Sequence, residues 1–265
     1  MIILDPISPV AFSVAGLPVR WYALAYIAAF VVGYLVVRHM VRRDDSGLKL
    51  SKKEFEDLFS AVILGVIIGG RLGYVLFYNL PFFIAHPLEI FAVWHGGMSF
   101  HGGLVGVIVA TFIFARGWSR GLRILDLLAV VAPIGLFFGR IANFINMEIM
   151  GRPTDSGLGV FFRGVSDVPR HPSPLYEAAT EGLLLFIIMF CLYRFTRLRT
   201  RPGALSGIMA MCYAVFRIIC EQFRAPDVQI GFLTSWGLTM GGLLSAVMFV
   251  VGAALLITAL RAHKK

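Results

Sequence analysis

Between Val228 and Leu260 the chain runs for 33 residues without one Asp, Glu, Lys or Arg, and no other feature limits its folding choices so severely. About 20 apolar residues are enough for a helix to cross the hydrocarbon core of a bilayer. The pattern recurs at 21–37, 72–88, 90–115 and 202–216, which are also free of these charges. Two more runs carry a single charge in an otherwise apolar stretch: Arg71 in AVILGVIIGGRLGYVLFY and Arg140 in LLAVVAPIGLFFGRIANFI. With 58% hydrophobic and only 15% charged residues, disorder is excluded and an ordinary cytoplasmic enzyme is disfavoured.

The runs predict an all-α, polytopic integral membrane protein with seven helices, at 20–38, 57–77, 100–116, 125–146, 175–194, 203–223 and 236–260. No linker or internal repeat divides it, so 1–265 reads as a single transmembrane domain. Segment 79–99 is expected to be irregular. Pro81 and Pro87 would break a spanning helix, and His95-Gly96-Gly97 and His101-Gly102-Gly103 read as turns or re-entrant backbone. The N-terminal MIILDPISPV has no basic region and no small-residue cleavage site, so it does not read as a secretory signal peptide.

Of 24 Lys and Arg residues, 16 fall on one side of this arrangement: Arg38, Arg42, Arg43, Lys49, Lys52 and Lys53; Arg116, Arg120 and Arg123; Arg194, Arg197, Arg199 and Arg201; Arg261, Lys264 and Lys265. The other side has Arg20, Arg152, Arg163, Arg170 and Arg224. The positive-inside bias therefore predicts the N-terminus outside and the C-terminus in the cytoplasm, as an odd number of spans requires. The net charge of +9 is then a topology signal and an attraction for anionic lipid headgroups, and no nucleic-acid partner is expected. Cys191, Cys212 and Cys220 lie in apolar stretches without metal-ligand spacing and read as buried, reduced thiols.

Three arginines, Arg71, Arg140 and Arg217, fall inside expected spans, where each costs about 2.5–3.5 kcal/mol on insertion scales. Arg140, Asn143, Phe144 and Met147 share a helix face, with Asn146 and Glu148 at its margin. Tyr213, Arg217, Glu221 and Arg224 form a ladder on another helix, and Glu177 and Glu181 are four apart on a third. Such groups can neutralise one another as interhelical glue, for instance Arg217 with Glu221 or Arg140 with Glu148. Three polar stripes together favour function, because packing alone would be served by small residues and hydroxyls. A guanidinium fork matches a phosphate bidentately, which points to an anionic phospholipid headgroup. HExxH, GxSxG, a pair of intramembrane Asp residues and a seventh-span Lys are all missing from the sequence, so metal, serine-nucleophile and retinal chemistry lack support. Neither a metal nor a cofactor is expected. Trp21 and Trp94 read as interfacial anchors. The rival reading is a transporter or carrier for an anionic lipid or phosphorylated solute, which would predict inverted repeats that the sequence does not display.

The run Gly139-Arg140-Ile-Ala-Asn143-Phe-Ile-Asn146-Met-Glu148-Ile-Met-Gly151 resembles the signature of the bacterial prolipoprotein diacylglyceryl transferase family. The likeness extends to Trp21-Tyr22, Gly69-Gly70-Arg71-Leu-Gly73-Tyr74, Gly97-Met-Ser-Phe-His101-Gly102-Gly103, Arg170-His171-Pro172-Ser173 and Tyr213 through Arg224. Pro174 stands where the family usually has Gln, and the 152–170 loop is shorter than in many members. The resemblance implies a multi-pass protein of the bacterial cytoplasmic (inner) membrane. It also implies transfer of an sn-1,2-diacylglyceryl group from phosphatidylglycerol to the lipobox Cys of a prolipoprotein signal peptide, releasing sn-glycerol 1-phosphate. Arg140 and Arg217 are then the expected phosphate clamps, with Tyr22, Asn143, Glu148, Gly151, Tyr213 and Glu221 around the substrate. Glu148 and Glu221 are expected to hold the arginines. His101 is the candidate base for the thiol; a neighbouring carboxylate, Tyr22 or the substrate phosphate would serve the same purpose.

Overall fold

The computed structural model describes residues 2–43, 48–226, 233–234 and 237–262. Helices stand where all seven were expected: α1 (Trp21–Arg42), α2 (Lys52–Phe77), α4 (Phe100–Ala115), α5 (Trp118–Ile145), a continuous run of α6 (Ser173–Glu177), a π-helical turn (Ala178–Leu184) and α7 (Leu185–Phe195), then α8 (Ala204–Glu221) and α9 (Met240–Ala262). Six of these, Trp21–Arg42, Lys52–Phe77, Trp118–Ile145, Ser173–Phe195, Ala204–Glu221 and Met240–Ala262, are long and apolar enough to cross a membrane. The seventh, α4, has 16 residues; at 1.5 Å per residue it reaches about 24 Å, short of the ~30 Å hydrocarbon core. Position 236, where the last span was expected to begin, and the tail cations Lys264 and Lys265 lie outside the described residues.

Among the described residues four short strands accompany the helices: β1 (Ile2–Leu4), β2 (Val10–Val14), β3 (Leu17–Arg20) and β4 (Val160–Phe162). The chain divides into two compact units, one made of 1–39 and 126–265 and the other of 40–125.

In the 40–125 unit, α2 and α4 are brought together by glycines. A Cβ on Gly69 would stand 2.4 Å from the Gly102 carbonyl oxygen, and one on Gly106 would stand 2.0 Å from that of Gly65. Neither fits, so the two backbones meet through small-xxx-small faces, the packing available where lipid offers no hydrophobic drive between helices. At the start of α2, Ser51 and Glu54 form a reciprocal capping box. Segment 79–99 is irregular as expected: a short α3 (Leu80–Ala85) is followed by 3₁₀ turns at Pro87–Phe91 and Val93–His95. Such turns leave carbonyls without helical partners, and Arg71 supplies them. Its guanidinium donates to the carbonyls of Glu89, Ile90, Ala92, Gly96 and Gly97 and lies 5.0 Å from the centre of the Phe83 ring. One of the three intramembrane arginines is thus a backbone scaffold.

In the other unit, the hairpin of β2 and β3 turns at Ala15 and Gly16, both at positive φ. Strands β1 and β4 pair in parallel, and Val160 and Phe162 of β4 pack with Met147 against Leu4, Phe144 and Met150. Asp126, buried near the start of α5, accepts hydrogen bonds from the Gly203 N–H, the Ser206 N–H and the Ser206 hydroxyl, each at 2.7 Å. It caps α8 from a neighbouring helix, because Gly203 has no side chain to do so. Helices α8 and α9 approach through Gly207 and Gly252. Cysteine placement corrects one expectation: Cys220 is buried and Cys212 half-buried, but Cys191 is exposed. The packed stripe of α7 is Leu185, Met189 and Tyr193, and two residues past Met189 is nearly opposite on a helix of 100° per residue.

Candidate functional site

Two carboxylates with no solvent exposure organise the arginines. Glu177, at the end of α6, takes Arg140 Nε at 2.7 Å on one oxygen, and Arg217 Nη1 and Arg224 Nη1 at 3.6 Å each on the other. Glu181, in the π-helical turn, lies 3.5 Å from Arg140 Nη2. Glu221, one turn after Arg217 on α8, holds Arg217 Nη2 at 2.7 Å. Three guanidinium groups and three carboxylates therefore balance, which is what burial of this many charges demands. The π turn widens the helix at the point where Glu177 and Glu181 enter the cluster, a distortion often found at functional positions. Arg217 Nη1 is buried and faces Glu177 at 3.6 Å without a hydrogen bond among the described residues. The cluster thus holds its arginines in fixed orientations by ion pairing from two sides.

The Gly241 position shows how tightly the cluster is closed. A Cβ there, in the first turn of α9, would lie 3.1 Å from Arg217 Nη2 and from both Glu221 carboxylate oxygens.

The second part of the site corrects the expected helix face. Helix α5 stops at Ile145, so Met147 and Glu148 do not continue its spiral. Instead the Glu148 N–H donates to the Asn143 carbonyl at 2.9 Å and the Met147 N–H to the Phe144 carbonyl at 3.0 Å. Met147 stands at φ 54°. This is a Schellman motif with Met147 where glycine is usual. It folds Glu148 back over the helix end, where Tyr22 of α1 donates its hydroxyl hydrogen to Glu148 Oε2 at 2.6 Å and the Asn143 amide donates to the Tyr22 oxygen. Glu148 therefore partners Tyr22 and Asn143, not Arg140 as expected; Arg140 is held by Glu177 and Glu181 instead. The turn has redirected the carboxylate.

Gly151 is buried where three strands of chain converge. Its N–H donates to the His171 carbonyl at 2.9 Å, and an added Cβ would meet the Phe223 and His171 carbonyl oxygens at 2.5 and 2.6 Å. Tyr213 is half-buried on α8, one turn before Arg217. His101 is exposed in the first turn of α4, in the 40–125 unit. The geometry thus joins Tyr22, Asn143 and Glu148 in one hydrogen-bonded group, and Arg140, Arg217 and Glu221 in another. Both are supported by α5. What sequence reasoning left out of the site is Glu177, the hub, together with Glu181 and Arg224. The available signal was two carboxylates four residues apart in an otherwise apolar span, but their partners come from α5 and from α8 and the residues just after it.

Residues 9–258 match the model of a family described as prolipoprotein diacylglyceryl transferase. The chain is similar to phosphatidylglycerol–prolipoprotein diacylglyceryl transferases from several bacteria. It is 51% identical to that of Methylocella silvestris over 261 residues, covering 96% of this chain and 94% of the relative. Against the Azospirillum brasilense protein it is 50% identical over 260 residues, covering 96% and 95%. The Rhodospirillum rubrum relative is also 50% identical over 260 residues, covering 97% and 93%.

Proposed function

The chain belongs to the prolipoprotein diacylglyceryl transferase family, and from this we infer that it is a transferase that moves the sn-1,2-diacylglyceryl group of phosphatidylglycerol to the cysteine thiol of a prolipoprotein. The observation that carries the reaction is whole-length similarity to relatives bearing that activity in their names. A carrier of anionic lipids or phosphorylated solutes has no such support.

The chemistry is S-alkylation. A sulfur–carbon bond forms at the glyceryl carbon, the carbon–oxygen bond to phosphate breaks, and sn-glycerol 1-phosphate leaves with the electron pair. The thiol proton must go to a base. Two tasks follow: stabilising charge on the departing phosphate and accepting the proton. Arg140 and Arg217 take the first, supported by their fixed orientation. Asn143 and Tyr213, each one turn from an arginine, orient the headgroup together with Tyr22 of α1, Gly151 lets the surrounding backbone close in, and Glu221 holds Arg217. Glu148 acts on Tyr22. His101 is the proposed base; its exposure leaves the imidazole open to a substrate thiol.

We place the protein in the bacterial inner membrane with seven spans, the N-terminus outside and the C-terminus cytoplasmic. Six span-length helices, the shorter apolar α4 and the cation bias support this arrangement. The thiol acceptor is the lipobox Cys of a signal peptide.

The test is direct. Purified protein with phosphatidylglycerol labelled in its diacylglyceryl part and a lipobox peptide should transfer label to the peptide's Cys, whereas His101→Gln should transfer little. Folded wild-type protein that transfers nothing would refute the reaction, and a fully active His101→Gln would remove His101 as base.

A further inference from the structure

We propose that Arg71 is a positioning residue for the transfer reaction: by fixing the backbone at Gly96 and Gly97 it sets where His101 stands. This role rests on His101 being the base proposed above.

A guanidinium carries five N–H groups, and Arg71 meets five carbonyls. Its Nε donates to Ile90 at 2.9 Å, Nη2 to Glu89 at 2.5 Å and Ala92 at 3.2 Å, and Nη1 to Gly96 at 2.5 Å and Gly97 at 3.2 Å. Donors and acceptors match one to one on a side chain that is buried. Every N–H is committed to this chain's own backbone, so binding phosphate is not the task of this arginine.

The two carbonyls on Nη1 carry the consequence for chemistry. Gly96 and Gly97 stand at φ 85° and 80°, a region that glycine enters, and leaves, at no steric cost. Two such residues in a row form a swivel unless something outside them holds the peptide planes. Arg71 holds both. Gly97 is closed in further, because a Cβ there would stand 2.5 Å from the Tyr74 ring and 3.0 Å from Arg71 Nη1.

From this fixed point the chain passes through Met98 and Ser99 into α4. The Ser99 N–H donates to the Gly70 carbonyl at 2.8 Å, and the Ser99 hydroxyl oxygen caps α4 by accepting the Gly102 N–H at 3.2 Å. A Cβ on Gly73 would lie 2.7 Å from Gly102 Cα, so the first turn of α4 rests directly on α2. His101 is the second residue of α4 and is exposed. Its side chain therefore projects from a turn whose approach is bonded at 96, 97 and 99 to a single turn of α2. A general base must come within about 2.6–3.2 Å of the proton it takes, and a misplacement of ~1 Å can cost ~100-fold in rate. Lysine at position 71 would keep the charge but bring three donors to five carbonyls, which frees the swivel ahead of the base.

The test is a double-mutant cycle in the label-transfer assay. Arg71→Lys should lower kcat at least ~tenfold and change KM for phosphatidylglycerol by less than about twofold, because the hydrogen bonds it loses all lie within segment 89–97. His101→Gln should lower kcat ~100-fold. With His101→Gln already in place, Arg71→Lys should cost less than about a further twofold, since there is no base left to misplace. Hydrogen exchange of the full-length protein in detergent reads the attachment without catalysis: the amides of 96–102 should exchange at least ~tenfold faster in Arg71→Lys, while those of α8 keep their wild-type rates. If Arg71→Lys does not fold, Ser99→Ala, which removes the cap and leaves Arg71 in place, enters the same cycle with a smaller first loss. An equal loss from Arg71→Lys in both backgrounds would overturn the positioning role and leave His101 as base. Wild-type exchange at 96–102 in Arg71→Lys would overturn it as well. A fully active His101→Gln would remove the base itself and this role with it.

Discussion

Arg140 shows why residue identity at one position matters more than charge. Its Nε reaches Glu177 and its Nη2 faces Glu181, so two carboxylates fix the plane of the guanidinium and hold its remaining donors in a set direction. A lysine keeps the charge and loses both the plane and the fork. Arg140→Ala and Arg217→Ala are expected to lower kcat/KM at least ~100-fold, the cost of removing a preorganised transition-state donor. Arg140→Lys should recover little of that in the same label-transfer assay; a near-normal rate in either alanine variant would remove the residue from phosphate stabilisation. The sequence made these arginines conspicuous because charges are costly among apolar neighbours. It could not pair them, since Glu177, Glu181, Glu221 and Glu148 were all plausible partners by type. The pairing of Glu148 with Tyr22 depends on Met147 adopting φ 54°, a left-handed conformation that local propensity opposes for any residue but glycine. Burial of the Met147 side chain with Val160 and Phe162 offsets that strain.

At the scale of elements, the helices were legible and their ends were not. Uncharged runs locate each helix core, while the stops depend on caps such as the Schellman turn after α5. Asp126 illustrates a cap that no local pattern announces, because it lies 77 positions from Gly203 along the chain. Its three hydrogen bonds satisfy the first turn of α8. Asp126→Ala should lower stability by about 1 kcal/mol or somewhat more, the usual range for loss of an N-cap, read as a reduced midpoint of thermal unfolding in detergent. Because α8 carries Arg217 and Glu221 at its other end, activity at low temperature should survive in this variant. If the midpoint does not move, the carboxylate is not contributing as a cap. Similar reasoning separates the irregular 86–97 segment from its sequence. The two prolines predicted the break, but the use of Arg71 to hold five carbonyls required the segment to fold back over α2.

For the whole molecule, the strongest expectation concerns topology. A cysteine introduced at Arg163 should react with a membrane-impermeant thiol reagent added outside intact cells, whereas one at Arg199 should react only after the membrane is opened, in a background with Cys191, Cys212 and Cys220 replaced. The reverse pattern would invert the proposed orientation. By itself the sequence determined that this chain belongs in a membrane, roughly where its helices run and which charges needed explaining, because transfer into lipid depends on composition along a short window. Its signature residues also pointed to the family. Only the tertiary structure decided which charges meet, and that Arg71 and Asp126 serve backbone groups while Arg140, Arg217 and Arg224 share Glu177. Those outcomes depend on distances between segments far apart in the chain, and hydrophobic patterning carries no record of them.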